Sequence, residues 1–419
     1  MGSTEARRPT LVLLTRRYPF GIGEEFLTVE LEVLSRSFRV HLVPVSGPLP
    51  DPKQLPEGAL VHTLRDDGLL QALLAGLHAF RPAQLAKDLL GCVQAALRNR
   101  RPSAILVPAV RALGEHVIAA LLWGRISRCR ECSRSEVHYA YWGSSGAVAL
   151  SLHRAGQFVV RMHGYDLYPE QSRGRHIPCQ ARIVEAAKAV LCVSKHGRDS
   201  LAIRYPALRE KLALSRLGVR GQDRIMKDHD TGLHVGSISA VVPVKRLHLI
   251  AESIAMLRAR GVDARWSHFG LGPDMARLED AVDRLGLAPH VQFRGHLQPA
   301  EEGLYPALAS SGLHVVCNVS SSEGIPVSLM EATSFGIPVV ATNVGGSSEL
   351  VGPAKGTLLP QDPTIEEIAD ALEFYARLAP AESNTVSLQT QQAQRTLFDG
   401  EKNAEKLARF LADMVGSDA

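Results

Sequence analysis

The sequence predicts an α/β protein of two doubly wound parallel-sheet, Rossmann-like domains. Its 419 residues, 45% of them hydrophobic, are enough to bury two ordinary cores. Short apolar runs of buried-strand type alternate with helix-period stretches along most of the chain, the order that builds parallel sheets. That alternation is interrupted by a polar, charged stretch from Arg220 to Thr231, as a hinge between domains would be. The predicted division is 1–220 and 221–397, with 398–419 as a closing segment.

Thr10 to Thr15 is the first predicted strand, RRYPFGIG a loop, and Glu24 to Phe38 a helix whose apolar residues are Phe26, Leu27, Val29, Leu31, Val33 and Leu34. Val40 to Val45 is the next strand. Gly21 and Gly23 would let a ligand approach the backbone closely, although Phe26 at the third glycine position excludes a dinucleotide fingerprint. Leu69 to Arg134 is helical in pattern. Val137 to Trp142 then reads as a strand, Ser144 to His153 as a helix, and Phe158 to Met162 as a strand ending in His163-Gly164-Tyr165-Asp166. A histidine at a strand's carboxyl end, beside a glycine, suits a polar ligand contact. A strand from Ala187 to Ser194 and a helix from Lys195 complete the first half.

The second half restarts at Gly232 to Ser239, with strands near Arg265 to Phe269, Val291 to Arg294, Leu313 to Asn318 and Pro338 to Thr342. Helices are expected at Leu247 to Arg258, Asp274 to Leu285 and Glu301 to Ala309, and a last one at Phe398 to Met414 carries Phe398, Leu407, Phe410 and Leu411 at helical spacing.

A net charge of +4 does not indicate a nucleic-acid binder. Six thinly spread cysteines argue for free thiols in a reducing compartment. Cys129 and Cys132 form a C-x-x-C with no second cysteine pair, so they read as an incidental surface pair and no metal is expected. No signal peptide is evident, and the apolar region Ala104 to Trp123 is interrupted by Pro108, Arg111, Glu115 and His116, short of a membrane span. A cytoplasmic location is the expectation. Arg98, Arg100, Arg101, Arg111, Arg125, Arg128, Arg130 and Arg134 read as a solvated face, while the neighbouring Val117, Ile118, Leu121, Leu122 and Trp123 keep peripheral membrane contact open.

The richest stretch is LHVVCNVSSSEGIPVSLMEATSFGIPVVATNVGGSSELV, Leu313 to Val351. It reads as strand, polar turn, helix with Pro326 first, and strand, so a helix N-terminus stands at a strand's carboxyl end, where phosphate binds. Glu323 and Glu331 frame that terminus and suit the hydroxyls of a sugar nucleotide. Ser328 with Glu331 also fits a capping box, which leaves Glu331 a purely structural alternative. No D-x-D points to a divalent ion, and no cofactor is expected.

The string SSSEGIPVSLMEATSFGIPVVATNVGG resembles the signature of retaining glycosyltransferases of family 4, of bacterial polysaccharide-biosynthesis type, and the likeness runs with gaps from Thr10 onward, weakest between about Pro50 and Glu136. It implies a GT-B fold, two Rossmann-like domains facing across a cleft, with an acceptor-side domain to which the last helix returns and a nucleotide-sugar-binding domain. It also implies transfer from a nucleotide-diphosphate sugar, UDP- or GDP-linked, to a hydroxyl acceptor that is sugar-containing or lipid-linked. By the same resemblance His163 and Glu323 are catalytic, with Glu323 on the donor sugar and Glu331 on the ribose. Donor contacts fall on Gly21, Gly23, Lys245, Gly270, Arg294, Leu297, Gly324, Ile325, Pro326 and Val327. The family's usual phosphate-binding arginine would stand at Ala240, leaving Lys245 with either Arg246 or the helix end at Pro326 to make up for it. The rival readings are a catalytically silent GT-B subunit and a nicotinamide-dependent dehydrogenase.

Overall fold

The structure is a computed structural model and describes residues 8–20, 23–45, 55–62, 69–100, 105–154, 156–224, 232–297, 303–352 and 356–416. Two compact units divide the chain. One comprises residues 1–215 with 401–419, the other 216–400.

The first unit holds β1 (Thr10–Thr15), β2 (Arg39–Pro44), β3 (Ala59–Val61), β4 (Val137–Ala140), β5 (Phe158–Met162), β6 (Ala189–Cys192) and β7 (Leu212–Leu214). They form one parallel sheet in the order β3-β2-β1-β4-β5-β6-β7. β1 is apolar on both faces because helices cover both, and Leu11, Leu13, Val159 and Leu191 fill one side of the sheet while Val12, Leu14, Val160 and Cys192 fill the other. The closing helix Gly400–Gly416 sets Ala404, Leu407, Ala408 and Leu411 into the first of these cores.

Between β3 and β4 the long helical region is four helices, Leu69–Ala79, Pro82–Arg98, Leu106–Arg128 and Arg130–Ser133. Helix Leu106–Arg128 has the length and hydropathy to cross a membrane, yet it packs on Leu69–Ala79 and on Ser145–His153 and buries Ala112, His116, Ala119 and Leu122 in the first unit. Arg125, counted in the expected charged surface, is instead buried, and its guanidinium donates to the carbonyls of Pro44 and His62.

One buried ion pair crosses the sheet's interior. Arg161 on β5 is 1% exposed and meets Glu30 from helix Leu27–Ser37, with Ser215 Oγ at 2.7 Å and the rings of Tyr139 and Tyr141 beneath the guanidinium.

The second unit carries β8 (Leu233–Ile238), β9 (Ala264–Phe269), β10 (Val291–Phe293), β11 (Val315–Asn318), β12 (Val339–Thr342) and β13 (Thr357–Leu359), parallel and in the order β10-β9-β8-β11-β12-β13. Trp266, Ile250, Ile254 and Val315 lie in its core. Helix Pro380–Leu397 was not expected, because its buried positions are Ser383, Ser387, Thr390, Gln391 and Gln394 rather than an apolar stripe. Gln391 Nε2 donates to the carbonyls of Gln222 and Ser334, and Gln394 Nε2 to those of Val219 and Phe398.

Buried histidines give the fold a pH dependence. Burial pushes His138, His234 and His268 down to about 4. Above the ordinary value near 6.5 both states are neutral and the full stability is present; as pH falls, the unfolded chain takes up protons first. Stability is therefore lost between pH 6.5 and about 4, on the order of 3 kcal/mol for the fully buried His268 alone. Thermal midpoints measured from pH 7 to 4.5 should fall steadily, and a flat profile would refute this account.

Candidate functional site

The order of strands in the second unit's sheet reverses between β8 and β11, and ligands of such sheets bind beyond the strand ends at that point. The loop after β8 turns through Pro243–Lys245, and the loop after β11 carries Glu323. They meet: Lys245 Nζ lies 2.6 Å from Glu323 Oε1, and Asn318 Nδ2 donates to the same oxygen at 3.1 Å. Both side chains are partly buried, at 21% and 11% exposure, so the pair is shielded but reachable. The backbone reinforces the contact through Ser321 N–H to the Val244 carbonyl at 2.8 Å.

Arg246 does a different job from the phosphate contact expected of it. At φ +49 its side chain turns to the loops, donating to the carbonyls of Val319, Ser320 and Gln361 and to Asp362. It fixes the frame around Lys245. Ala240 is exposed, with its carbonyl accepting from Val242 N–H.

Two glycines bring the remaining loops close. At Gly270, φ +149, a Cβ would stand 1.8 Å from the Ser239 carbonyl oxygen; at Gly345, φ +53, it would stand 1.8 Å from that of Glu323. Only glycine fits where two backbones approach so nearly. Gly270 N–H also donates to the Gly295 carbonyl, and Arg294 N–H to that of His268, so the segment Arg294 to Leu297 is drawn to the same edge through its backbone. The Arg294 side chain itself is exposed. Gly324 accepts from Gly346 N–H, and Ile325 is buried.

The helix here is Val327–Ser334, one residue shorter than expected, with Pro326 outside it as the N-cap at ψ 99. No side chain caps it, so its first N–H groups have no partner within the helix. Ser328 is inside the helix, which removes the capping box as the reason for Glu331. Glu331 is 8% exposed and lies close enough to Tyr305 for its charge to help raise that phenol, after burial.

The first unit has its own switch point, between β1 and β4. His163 follows β5 and is 7% exposed, its ring 4.0 Å from Trp142 and 5.1 Å from Tyr141 by centroids. Neither ring nitrogen finds a hydrogen-bond partner among the described residues, and Nδ1 stands 4.0 Å from Asp166 Oδ2. Burial lowers its pKa and keeps it neutral. Asp166 itself organises the turn, accepting from the N–H groups of His163, Gly164 and Gly143.

The loop after β1 is filled from within. Glu24 is buried and accepts from the N–H groups of Arg16, Arg17 and Tyr18 and from Trp142 Nε1. Those amides would otherwise make an anion-binding nest. Gly23 N–H is held by the Glu25 carboxylate, and Gly21 lies outside the described residues. Glu24, Trp142 and Asn318 were missed by sequence reasoning, which had read Glu24 and Trp142 as ends of elements and Asn318 as a strand residue. A separate cavity of about 640 Å³ in the first unit is lined by Lys87, Arg98, Arg175, His176 and Arg204 and by none of the expected site residues.

The geometry can be set beside known proteins. The sequence profile of the family described as Glycosyl transferases group 1 matches residues 229–377. WcaL of Escherichia coli, named as a colanic acid biosynthesis glycosyltransferase, is 28% identical over 261 residues, covering 58% of this chain and 62% of that protein. The match thus spans about three fifths of the relative's length. The amylovoran biosynthesis glycosyltransferase AmsK of Erwinia amylovora is 25% identical over 368 residues, 83% of each chain. Among solved structures, Anabaena Alr3699/HepE in complex with UDP superposes with a TM-score of 0.65 at 18% identity, covering 96% of this chain and 100% of the other. At that identity the likeness speaks for the fold, which is the GT-B fold of glycosyltransferases. The stretch from 229 to 377, holding Lys245, Glu323 and Glu331, is the part of the chain that matches the group 1 glycosyltransferase profile.

Proposed function

We propose that the protein transfers a sugar, with retention, from a UDP- or GDP-sugar to a hydroxyl acceptor in the assembly of a polysaccharide, glycolipid or natural-product glycan. The observation that carries this reading is the Lys245–Glu323 contact at the switch point, beside a helix end that no side chain caps. Lys245 and the first N–H groups of helix Val327–Ser334 receive the diphosphate, without calling on a divalent ion. Glu331 holds the ribose and Glu323 the donor sugar. The bond from the anomeric carbon to the diphosphate breaks, the acceptor oxygen bonds to that carbon on the same face, and its proton passes to the departing phosphate. His163, neutral and without a partner, offers a ring nitrogen to a sugar hydroxyl.

A lipid-linked acceptor is favoured by exposed apolar stripes, Leu90, Val93 and Leu97 on one helix and Leu106, Val110, Leu113 and Val117 on the next. These support contact with a bilayer surface. Leu122 and Arg125 are buried and take no part, and Arg101 lies outside the described residues.

Calorimetry with UDP and GDP tests the donor site. Lys245→Ala is expected to weaken the preferred nucleotide by about 2 kcal/mol or more, the scale of a hydrogen bond between charged groups. Unchanged affinity would remove Lys245 from the site. Nucleotide release from the matching sugar donor, with and without a sugar acceptor, then separates an enzyme from a silent binding subunit.

A further inference from the structure

We propose that His41, His62, Cys129 and Cys132 bind one structural zinc ion in the first unit. Their ligand atoms all lie within 4.8 Å of one another. His41 Nδ1 is 2.8 Å from His62 Nε2, and Cys132 Sγ is 3.6 and 3.7 Å from these two nitrogens. Zn–N bonds near 2.0 Å and Zn–S bonds near 2.3 Å make a tetrahedron with edges of roughly 3.3 Å between nitrogens and 3.5 Å between nitrogen and sulfur. The two nitrogens and Cys132 Sγ stand within about half an ångström of those edges, with Cys129 Sγ inside the same 4.8 Å.

The chain builds this cluster from three places. His41 sits on β2 and His62 directly follows β3, which pairs with β2 so that the two imidazoles stack at 5.0 Å and 11°. Cys129 and Cys132 bracket the first turn of helix Arg130–Ser133, where Cys129 Sγ accepts from Cys132 N–H. Cys132 is fully buried, which corrects the reading of a surface pair. The sequence hid the site because the partners of the C-x-x-C are histidines some seventy residues or more upstream, on neighbouring strands.

The surroundings have the features of a closed metal site. His41 Nε2 lies 3.2 Å from Glu131 Oε2, which places a carboxylate beside the ring as is usual for zinc-bound histidines. Two sulfurs and two nitrogens in tetrahedral array select zinc over magnesium or calcium, and four protein ligands leave no open position for catalysis. A contrast lies in the same unit: Asp88, His116 and Cys179 also converge, but there the Arg182 guanidinium binds Asp88 at 2.9 and 3.0 Å and takes the cation's place.

Full-length protein purified under reducing conditions without chelator should contain one zinc per chain by elemental analysis. Cobalt(II) added to the chelator-stripped protein should give the intense visible bands of a tetrahedral thiolate site. In Cys129→Ser/Cys132→Ser bound metal should fall roughly tenfold or more. His62→Asn, at the edge of the sheet, should lose the same spectrum while the protein still folds by circular dichroism. No zinc in the wild type together with no cobalt spectrum would overturn the proposal, as would zinc retained in the double variant. Metal content and spectrum are read independently of nucleotide binding, so this outcome does not hang on the enzymatic reading.

Discussion

Glu30→Ala should destabilise the first unit by about 3 to 5 kcal/mol, the cost of leaving a buried charge without its partner. Arg161 is 1% exposed, so water cannot replace the lost carboxylate. Its remaining contacts are Ser215 Oγ at 2.7 Å and the faces of Tyr139 and Tyr141, neither of which neutralises it. Tyr139 also loses an acceptor, since its hydroxyl donates to Glu30. Removing both charges together, as Glu30→Leu/Arg161→Met, should recover most of the loss, because ion pairs in dry interiors often exceed apolar replacements very little in net stability. Denaturant unfolding of the three proteins decides, and a single-variant loss under about 1 kcal/mol would mean that the pair is hydrated or rearranges.

Turnover by Glu323→Gln is expected to drop about a hundredfold or more, with nucleotide affinity changed by no more than a few fold. The carboxylate is assigned to the donor sugar, so its charge matters when the anomeric carbon becomes electron-poor. Glutamine keeps the shape and can still meet Asn318, while the bond to Lys245 weakens. The lysine then turns wholly to the diphosphate, which is why binding should survive. Steady-state kinetics beside calorimetry tests both halves; unchanged turnover sinks the assignment, and collapsed nucleotide affinity would move Glu323 from the sugar to the phosphates.

How far the sequence could be read depended on what carried each signal. Strands covered on both faces, such as Thr10–Thr15 and Val315–Asn318, stand out as short apolar runs, and the two sheets follow from them. The short edge strands Ala59–Val61, Leu212–Leu214 and Thr357–Leu359 were invisible, because three residues with at most one of them buried hold no period. Lys245 and Glu323 were found by wording, but their contact required the fold, since seventy-eight residues separate them. Arg246, a basic residue beside a lysine, looks like a second cation in the sequence, whereas its left-handed backbone turns it toward carbonyls. Glu24 shows the same limit. Its role comes from backbone amides, which no side-chain pattern records.

Helix Pro380–Leu397 follows a different logic from the oily contacts elsewhere. It is fastened by glutamine amides that read carbonyls, with serine and threonine filling the space between. If it lifts away, water can satisfy every group it leaves, and little apolar surface is uncovered. Such an opening has a small denaturant dependence and no large heat-capacity signature. Amide exchange along 380–397 should therefore respond weakly to dilute urea while exchange in the strands beneath responds steeply, giving the second unit a fastening that can release and reseat without inviting aggregation.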